Sequence, residues 1–264
     1  KRQPMDIIKR LNQESSRTAV IFFLIIWIFC TAVWAAGFGT KFINNPDVYD
    51  YAHMGLALRD GRGMVTDQIF PRHIPYLHER DLLHPGKIPN LYRYPLSVGA
   101  NAIFQIFTKN PLAAAALQTG FFYLLSMILV FILARRLTSP FIALACAAVY
   151  AGHPFLHRNS LTGMTEPMAA CLLLAALLAL FILREPFRST ITGVLAGLLY
   201  LARYQTVYFP LAFLLCLWFI QKKKKSLRPL IMFLLALGIT LSPWMIRNIS
   251  LTGKPLFNFV GLRT

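Results

Sequence analysis

Two carboxylates, Asp47 and Asp50, stand three residues apart in the sequence NPDVYDYAHMGLALRDGRG. Asn45 is a favourable helix N-cap and Pro46 suits the first helical position, so we predict a helix that starts here and ends at the glycines of the GRG sequence. Carboxylates one helical turn apart can serve as a general base, as a metal ligand, or as both. The alternative is that both acids only favour the positive end of the helix dipole.

Four other charged residues border or interrupt apolar stretches of the chain. Arg93 precedes the sequence YPLSVGANAIFQIF, which we predict to form a helix in or near the membrane interface. Arg203 lies near the middle of one apolar stretch, Arg247 directly follows another, and Glu166 opens a third. Arginine at membrane depth is tolerated where it faces a wet cavity or pairs with an anion, so Arg203 marks a candidate functional site. For Arg93 two interpretations stay open, a ligand role and an interfacial anchor that snorkels to lipid headgroups.

The overall composition is that of a membrane protein. Of the 264 residues, 56% are hydrophobic and 14% are charged, and the mean hydropathy is +0.55. These values exclude a secreted disulfide scaffold, a disordered chain and a water-soluble domain. The formal net charge is +17. Because many basic residues lie in short loops between apolar stretches, we interpret the excess as a topology signal and expect no nucleic-acid partner.

The apolar stretches predict an all-α polytopic membrane protein with about seven transmembrane or half-membrane helices. Residues 190–220 carry one charge, Arg203, and we expect the chain to be hinged there. A single span would place the lysines at 222–225 outside, against the preference of basic clusters for the cytoplasm. The other predicted segments are 18–39, 112–134, 140–156, 166–183 and 230–246.

The basic residues also predict how these segments divide the chain. We expect a cytoplasmic N-terminus (1–17), a first transmembrane helix (18–39), an exterior loop with amphipathic helices that carries the candidate catalytic acids (40–111), a transmembrane bundle with short loops (112–246) and an exterior segment (247–264). The exterior loop holds six of the ten acidic residues. Since the sequence starts at Lys1 and stops soon after an apolar stretch, we expect it to be part of a longer chain.

The order of these motifs resembles the membrane glycosyltransferases of the GT-C class, in the branch of the protein O-mannosyltransferases and the lipid A aminoarabinose transferase. Asp47 and Tyr51, followed by GRG, match the start of that branch's exterior loop. Residues 93–96 (RYPL) resemble its basic residue followed by P-P-L, with one proline missing. Later matches, in order, are T-E at 165–166, G-L-x-x-L-x-R at 197–203 and W-x-x-R-N at 244–248.

The resemblance implies that a sugar is transferred from a polyprenyl-phosphate donor on the non-cytoplasmic side of the membrane. Asp47 resembles the catalytic base, Glu166 resembles the second acidic position, near the acceptor or a metal, and Asp50 is a further catalytic candidate. No cofactor is required, although a divalent metal could bind Asp47 and Glu166. Fixed guanidinium groups stabilise a phosphate leaving group, and the arginines in the matching positions are Arg93, Arg203 and Arg247.

The expected partners are the polyprenyl-phosphate sugar donor, a lipid, glycan or protein acceptor, and the bilayer. The expected location is the bacterial inner membrane, with the active site facing outside. Two other function classes stay open: a transporter or lipid flippase whose path Arg203 and the carboxylates line, and a structural subunit whose exterior loop is a docking surface. The transferase hypothesis requires that Asp47 lie no more than about 20 to 24 Å from at least one of the three arginines.

Overall fold

The structure, a computed structural model, describes residues 4–38, 46–221 and 226–256. Asn45, the predicted N-cap, and the lysines at 222–225 fall outside these ranges. The described residues form eleven α-helices and no β-strand. The helices are α1 (Pro4–Gly37), α2 (Pro46–Arg59), α3 (Ile74–Glu79), α4 (Pro95–Phe104), α5 (Pro111–Leu137), α6 (Pro140–Gly152), α7 (Pro154–Ser160), α8 (Glu166–Ile182), α9 (Phe187–Ala202), α10 (Tyr208–Gln221) and α11 (Arg228–Thr252).

Several of these helices are long and apolar enough to cross a membrane. Four candidate spans lie within the described residues: Ser15–Gly37, Pro111–Leu137, Tyr204–Gln221 and Arg228–Thr252. Helices α6 and α7 meet at an angle of 61° at the break before Pro154, and they count as a fifth candidate when the bent pair is taken as one span. The apolar helices α8 and α9 are shorter, with 17 and 16 residues. The predicted all-α polytopic membrane fold is therefore confirmed.

The hinge expected at Arg203 is present. Helix α9 ends at Ala202, and Arg203 has extended backbone angles (φ −160°, ψ 113°). A short 3-10 turn, Tyr204–Val207, then leads into α10. A break of this kind at membrane depth leaves backbone polar groups that must be satisfied inside the protein. The Thr206 side chain does this, because its hydroxyl donates to the carbonyls of Leu199 and Arg203 at 3.0 and 2.6 Å.

One half of the bundle is built around α9, which packs between α8 and α11. Large apolar side chains of all these helices and α10 share one core, in which Leu199, Phe213, Leu217 and Phe233 are almost fully buried. Small residues let the backbones of α9 and α11 approach closely. A Cβ atom on Gly193 would lie 2.5 Å from the carbonyl oxygen of Phe233.

The other half joins α1, α5 and α6. The rings of Phe23 and Phe131 stack at 4.3 Å between centroids. At the start of the apolar span in α1, the Arg135 guanidinium donates to the Ser16 hydroxyl at 2.8 Å. Near the other end, the Trp34 indole donates to the carbonyl of Ser160 at 3.1 Å. The basic end of α5 therefore lies on the same side of the bundle as the first residues of the span in α1.

Residues 46–110, which precede α5, form a cap that contains α2, α3 and α4. Helix α2 packs against α4, with Tyr51, Met54 and Val98 buried between them. The predicted end of α2 is confirmed, since Gly61 and Gly63 have positive φ angles of 76° and 81°. Residues 64–68 and 88–93 then run side by side. The Thr66 amide donates to the carbonyl of Ile88 at 2.8 Å, and the Asn90 amide donates to that of Met64 at 2.8 Å.

We expect Gly193→Ala to lower the free energy of unfolding by about 1 to 3 kcal/mol, because the added methyl group would be forced against the backbone of α11. The measurement is thermal unfolding in detergent. Gly238→Ala is the matched control: a Cβ at Gly238 in α11 meets no atom within 4 Å. Alanine is favoured over glycine in a helix, so this control should be neutral or slightly more stable. Equal stability of the two variants would contradict the close packing of α9 on α11.

Candidate functional site

The first turns of α2 bring Asp50 into the interior of the cap. Its side chain is 1% exposed. Oδ1 accepts a hydrogen bond from the Thr66 hydroxyl at 2.7 Å, and Oδ2 accepts one from the Tyr92 hydroxyl at 2.8 Å. Oδ2 also accepts a bond from Nε of Arg93 at 2.7 Å. A carboxylate at this depth needs such donors, because an unpaired buried charge is costly.

Arg93 links Asp50 to Asp47. Its Nη2 donates to Oδ1 of Asp47 at 2.7 Å, while its Nε is bound to Asp50. The Asp47 side chain is 46% exposed, so the pair consists of one buried and one accessible carboxylate. The two acids therefore do more than favour the helix dipole. The guanidinium is turned inward to them and does not snorkel, since the Arg93 side chain is only 10% exposed.

The charges of this group alter the acid–base behaviour of its members. Burial alone would lower the pKa of Arg93, but its hydrogen bonds to Asp47 and Asp50 raise that pKa above the usual arginine value. Burial and the adjacent Asp50 charge raise the pKa of Tyr92. Arg93 is therefore a permanent cation, and the Tyr92 hydroxyl stays protonated as a donor to Asp50.

Asn90 holds the backbone of Arg93 in place. Its Oδ1 accepts hydrogen bonds from the backbone amides of Tyr92 and Arg93 at 3.1 and 2.8 Å. Its Nδ2 donates to the carbonyl of Arg93 at 3.1 Å. Asn90 is fully buried. Both the side chain and the backbone of Arg93 are thus fixed by polar contacts.

A second ion pair joins Glu166 to Arg203. Glu166 is the first residue of α8, and Arg203 follows the last residue of α9, so the ends of two helices bring the charges together. Nη1 of Arg203 bonds to Oε1 of Glu166 and lies 3.5 Å from the Thr165 hydroxyl. The two charged side chains are 27% and 29% exposed. Oε2 of Glu166 is buried and has no hydrogen-bond partner among the described residues.

Arg247 differs from the other two arginines. It lies in α11 with its guanidinium carbon 4.6 Å from the centre of the Trp244 ring, and Nη2 lies 3.4 Å from the carbonyl oxygen of Met64. Nη1 is buried without a hydrogen-bond partner among the residues that the structure describes. Within the same residues, no acidic side chain lies within ion-pair distance of Arg247.

Short contacts connect the three arginines. Tyr204 follows Arg203 in the chain, and its hydroxyl donates to the carbonyl of Arg93 at 3.3 Å. The carbonyl of Met64 accepts from the Asn90 amide and also lies beside Nη2 of Arg247. Asp47 is 2.7 Å from Arg93, well inside the limit set above. Hydrogen bonds through Met64 and Asn90 therefore link Arg247 to Arg93, whereas the pair of Arg203 and Glu166 is joined to them only through Tyr204, the next residue in the chain.

The metal prediction remains a prediction. Asp47 and Glu166 belong to two different ion pairs. Over residues 4–38, 46–221 and 226–256, no three His, Cys, Asp or Glu side chains come together in a group that could hold a metal ion. A metal at Asp47 or Glu166 would have to compete with the arginine that each acid already contacts.

Sequence reasoning missed three residues that hold the cap together. Thr66, Asn90 and Tyr92 provide five of the hydrogen bonds around Asp50 and Arg93. The only feature of the sequence that pointed to Tyr92 and Asn90 is that they are close to Arg93 in the chain. Nothing in the sequence pointed to Thr66, because its position depends on how residues 64–68 pair with residues 88–93.

Comparisons with known proteins support one assignment. The family model of the dolichyl-phosphate-mannose-protein mannosyltransferases matches residues 99–246, more than half of the chain. This range includes Glu166 and Arg203 but not Asp47, Asp50, Arg93 or Arg247. No curated protein matches the chain, and no solved structure matches it. On the family match and the helical membrane fold, the chain belongs to the dolichyl-phosphate-mannose-protein mannosyltransferase family and is a membrane glycosyltransferase of the GT-C type.

Proposed function

We propose that this protein moves a sugar from a polyprenyl-phosphate donor to an acceptor, with Asp47 as the general base. Asp47 is the accessible member of the buried acid–arginine group, with a side chain 46% exposed. A general base must reach the proton that it removes, and Asp50 at 1% exposure does not meet that condition. The acceptor is a lipid, a glycan or a protein that presents a hydroxyl or amine.

One observation carries the donor assignment: Arg247 is a largely buried cation without an acidic partner among the described residues. A buried charge is stable only when it is paired or hydrogen-bonded. The free Nη1 edge of Arg247 is suited to a phosphate oxygen, because guanidinium binds phosphate in a fixed geometry. The donor phosphate would supply the missing negative charge.

In the proposed reaction Asp47 loses one negative charge and the donor phosphate gains one. The acceptor oxygen or nitrogen attacks the anomeric carbon of the sugar while Asp47 takes its proton. The bond between the anomeric carbon and the phosphate oxygen breaks, and the electron pair stays on the polyprenyl phosphate. Guanidinium groups held in place before the reaction stabilise the charge that develops on this oxygen.

The three arginines would contribute unequally to holding the phosphate. Arg247 has an unpartnered nitrogen. The pair of Arg203 with Glu166 is part exposed, so Arg203 can share its charge with a phosphate at the hinge. Arg93 already uses Nε and Nη2 for two carboxylates. We therefore propose Arg247 and Arg203 as the main phosphate ligands and a smaller direct contribution from Arg93.

The proposal also gives the protein an orientation. With the N-terminus in the cytoplasm, the cap and all the candidate site residues face the other side of the membrane. In a bacterium that side is the exterior of the inner membrane. Glu166 would then lie beside the acceptor, and any divalent metal would bind at Glu166 or Asp47.

We expect Asp47→Asn to reduce sugar transfer at least 100-fold, since an amide cannot accept the acceptor's proton and general-base catalysis contributes about 100- to 10,000-fold. Transfer is measured from radiolabelled dolichyl-phosphate mannose to a peptide rich in serine and threonine, with the full chain in detergent. Asp60→Asn is the control, because Asp60 lies in the same cap and its carboxylate forms an exposed ion pair with Arg59. Transfer by Asp47→Asn at the level of this control would remove Asp47 from the role of base.

We expect Arg247→Ala to weaken binding of dolichyl phosphate by at least about tenfold, because the phosphate loses its unshared cationic partner. The measurement is the shift of the unfolding temperature as dolichyl phosphate is titrated. Arg158→Ala is the control, since Arg158 is an exposed arginine in α7. Equal affinity of wild type and Arg247→Ala would move the phosphate site elsewhere.

A further inference from the structure

Asp50 was a catalytic candidate by its spacing from Asp47, but its surroundings give it another task. Oδ1 accepts one hydrogen bond, from Thr66. Oδ2 accepts two, one from Tyr92 and one from Arg93. Its side chain is 1% exposed. A carboxylate in this state contacts no acceptor and no donor sugar, so it acts only through the groups that it binds.

We propose that Asp50, together with Thr66 and Tyr92, is a positioning unit that aims Arg93 at the catalytic base. The proposal rests on Asp47 being that base. Asp50 fixes the Nε edge of the Arg93 guanidinium, and the Nη2 edge then holds Oδ1 of Asp47. The Thr66 and Tyr92 hydroxyls donate to other lone pairs of the Asp50 carboxylate and so set its direction.

The planarity of the guanidinium group transmits this orientation. Its five N–H donors lie in one rigid plane, so fixing the Nε edge leaves little freedom for Nη2. Asn90 fixes the backbone from which this side chain extends, because it binds both the amide and the carbonyl of Arg93. A flexible cation such as lysine could neutralise the two aspartates but would not set an angle between them.

Asp47 is much more exposed than Asp50. Its side chain is 46% exposed, so solvent competes for the carboxylate. A charge-assisted bond of 2.7 Å to a fixed arginine favours one orientation of that carboxylate. Catalysis is sensitive to such positioning, and a displacement of about 1 Å can reduce a rate about 100-fold.

The Thr66 hydroxyl provides the mildest test, because its loss changes no charge. We expect Thr66→Val to lower kcat about tenfold and to leave the KM for dolichyl-phosphate mannose within about twofold, since a small displacement of the base affects chemistry more than donor binding. Thr66→Ser keeps the hydroxyl and should retain kcat within about twofold. An unchanged kcat in Thr66→Val, or an equal loss in Thr66→Ser, would overturn the positioning role of this hydroxyl.

A double-mutant cycle tests whether Asp50 acts through Asp47. We expect Asp50→Asn alone to lower kcat by about 10- to 100-fold, with little change in donor KM. In the Asp47→Asn background the same change should cause no further loss, because there is no base left to position. If Asp50→Asn lowered kcat by the same factor in both backgrounds, or changed only the donor KM, the proposal would be overturned. Asp60→Asn should have no effect in either background.

Thermal unfolding tests the same coupling without any activity. Arg93→Gln leaves the Asp50 carboxylate buried without its cation, and we expect a large fall in the unfolding temperature. Adding Asp50→Asn removes the unpaired charge and should recover part of that fall. The exposed pair of Arg59 and Asp60 is the control and should show no coupling, since surface ion pairs contribute little. If the falls in unfolding temperature caused by Arg93→Gln and by Asp50→Asn were additive in the double variant, the proposal would be overturned.

Failure of this proposal differs from failure of the proposed function. If Asp47→Asn transfers sugar normally, the function assigned to Asp47 is wrong, and the unfolding cycle alone reports on the link between Asp50 and Arg93. If Asp47→Asn abolishes transfer while Thr66→Val and Asp50→Asn keep kcat, only the positioning role is wrong.

Discussion

The contact on which the site depends is the ion-paired group of Asp50, Arg93 and Asp47. Placing a carboxylate at 1% exposure is costly unless cations and hydrogen bonds replace the water that it loses. The cap provides these groups from three separate stretches of chain: α2 carries the acids, residues 64–68 provide Thr66, and residues 90–93 provide Asn90, Tyr92 and Arg93. The buried charge of Asp50 therefore requires that residues 64–68 pair with residues 90–93 and that α2 pack on α4.

The transmembrane bundle supplies the rest of the charges from the ends and breaks of its helices. Glu166 starts α8, and Arg203 occupies the break between α9 and α10. Together with Arg247, the site contains three carboxylates and three guanidinium groups, but the pairing is uneven. Two carboxylates share Arg93, one pairs with Arg203, and Arg247 has no acidic partner among the described residues. In the proposed function, Arg247 is where the donor phosphate supplies the missing negative charge.

The sequence predicted the elements of this structure better than the contacts between them. Long apolar stretches, proline and glycine punctuation and one isolated charge were enough to place the spans, the end of α2 and the hinge at Arg203. The partners of Arg93 could not be predicted in this way. Its acidic partners lie 43 and 46 positions earlier, in α2. Thr66 reaches Asp50 because residues 64–68 pair with residues 88–93, and a shift of one residue in that pairing would remove this contact. The motif resemblance named Arg93 but gave no indication that two of its donors bind carboxylates.

In the proposed reaction one negative charge moves across the site. Asp47 loses its charge when it takes the acceptor's proton, and the departing phosphate gains one. The cations proposed for the two ends of this path are Arg93, beside the proposed base, and Arg247, whose guanidinium lies over the Trp244 ring. Because both guanidinium groups are already held by contacts to the protein, little reorganisation is needed as the charge moves. The rigidity of the cap is thus part of the chemistry, since an arginine free to follow the charge would leave Asp50 unpaired in the interior.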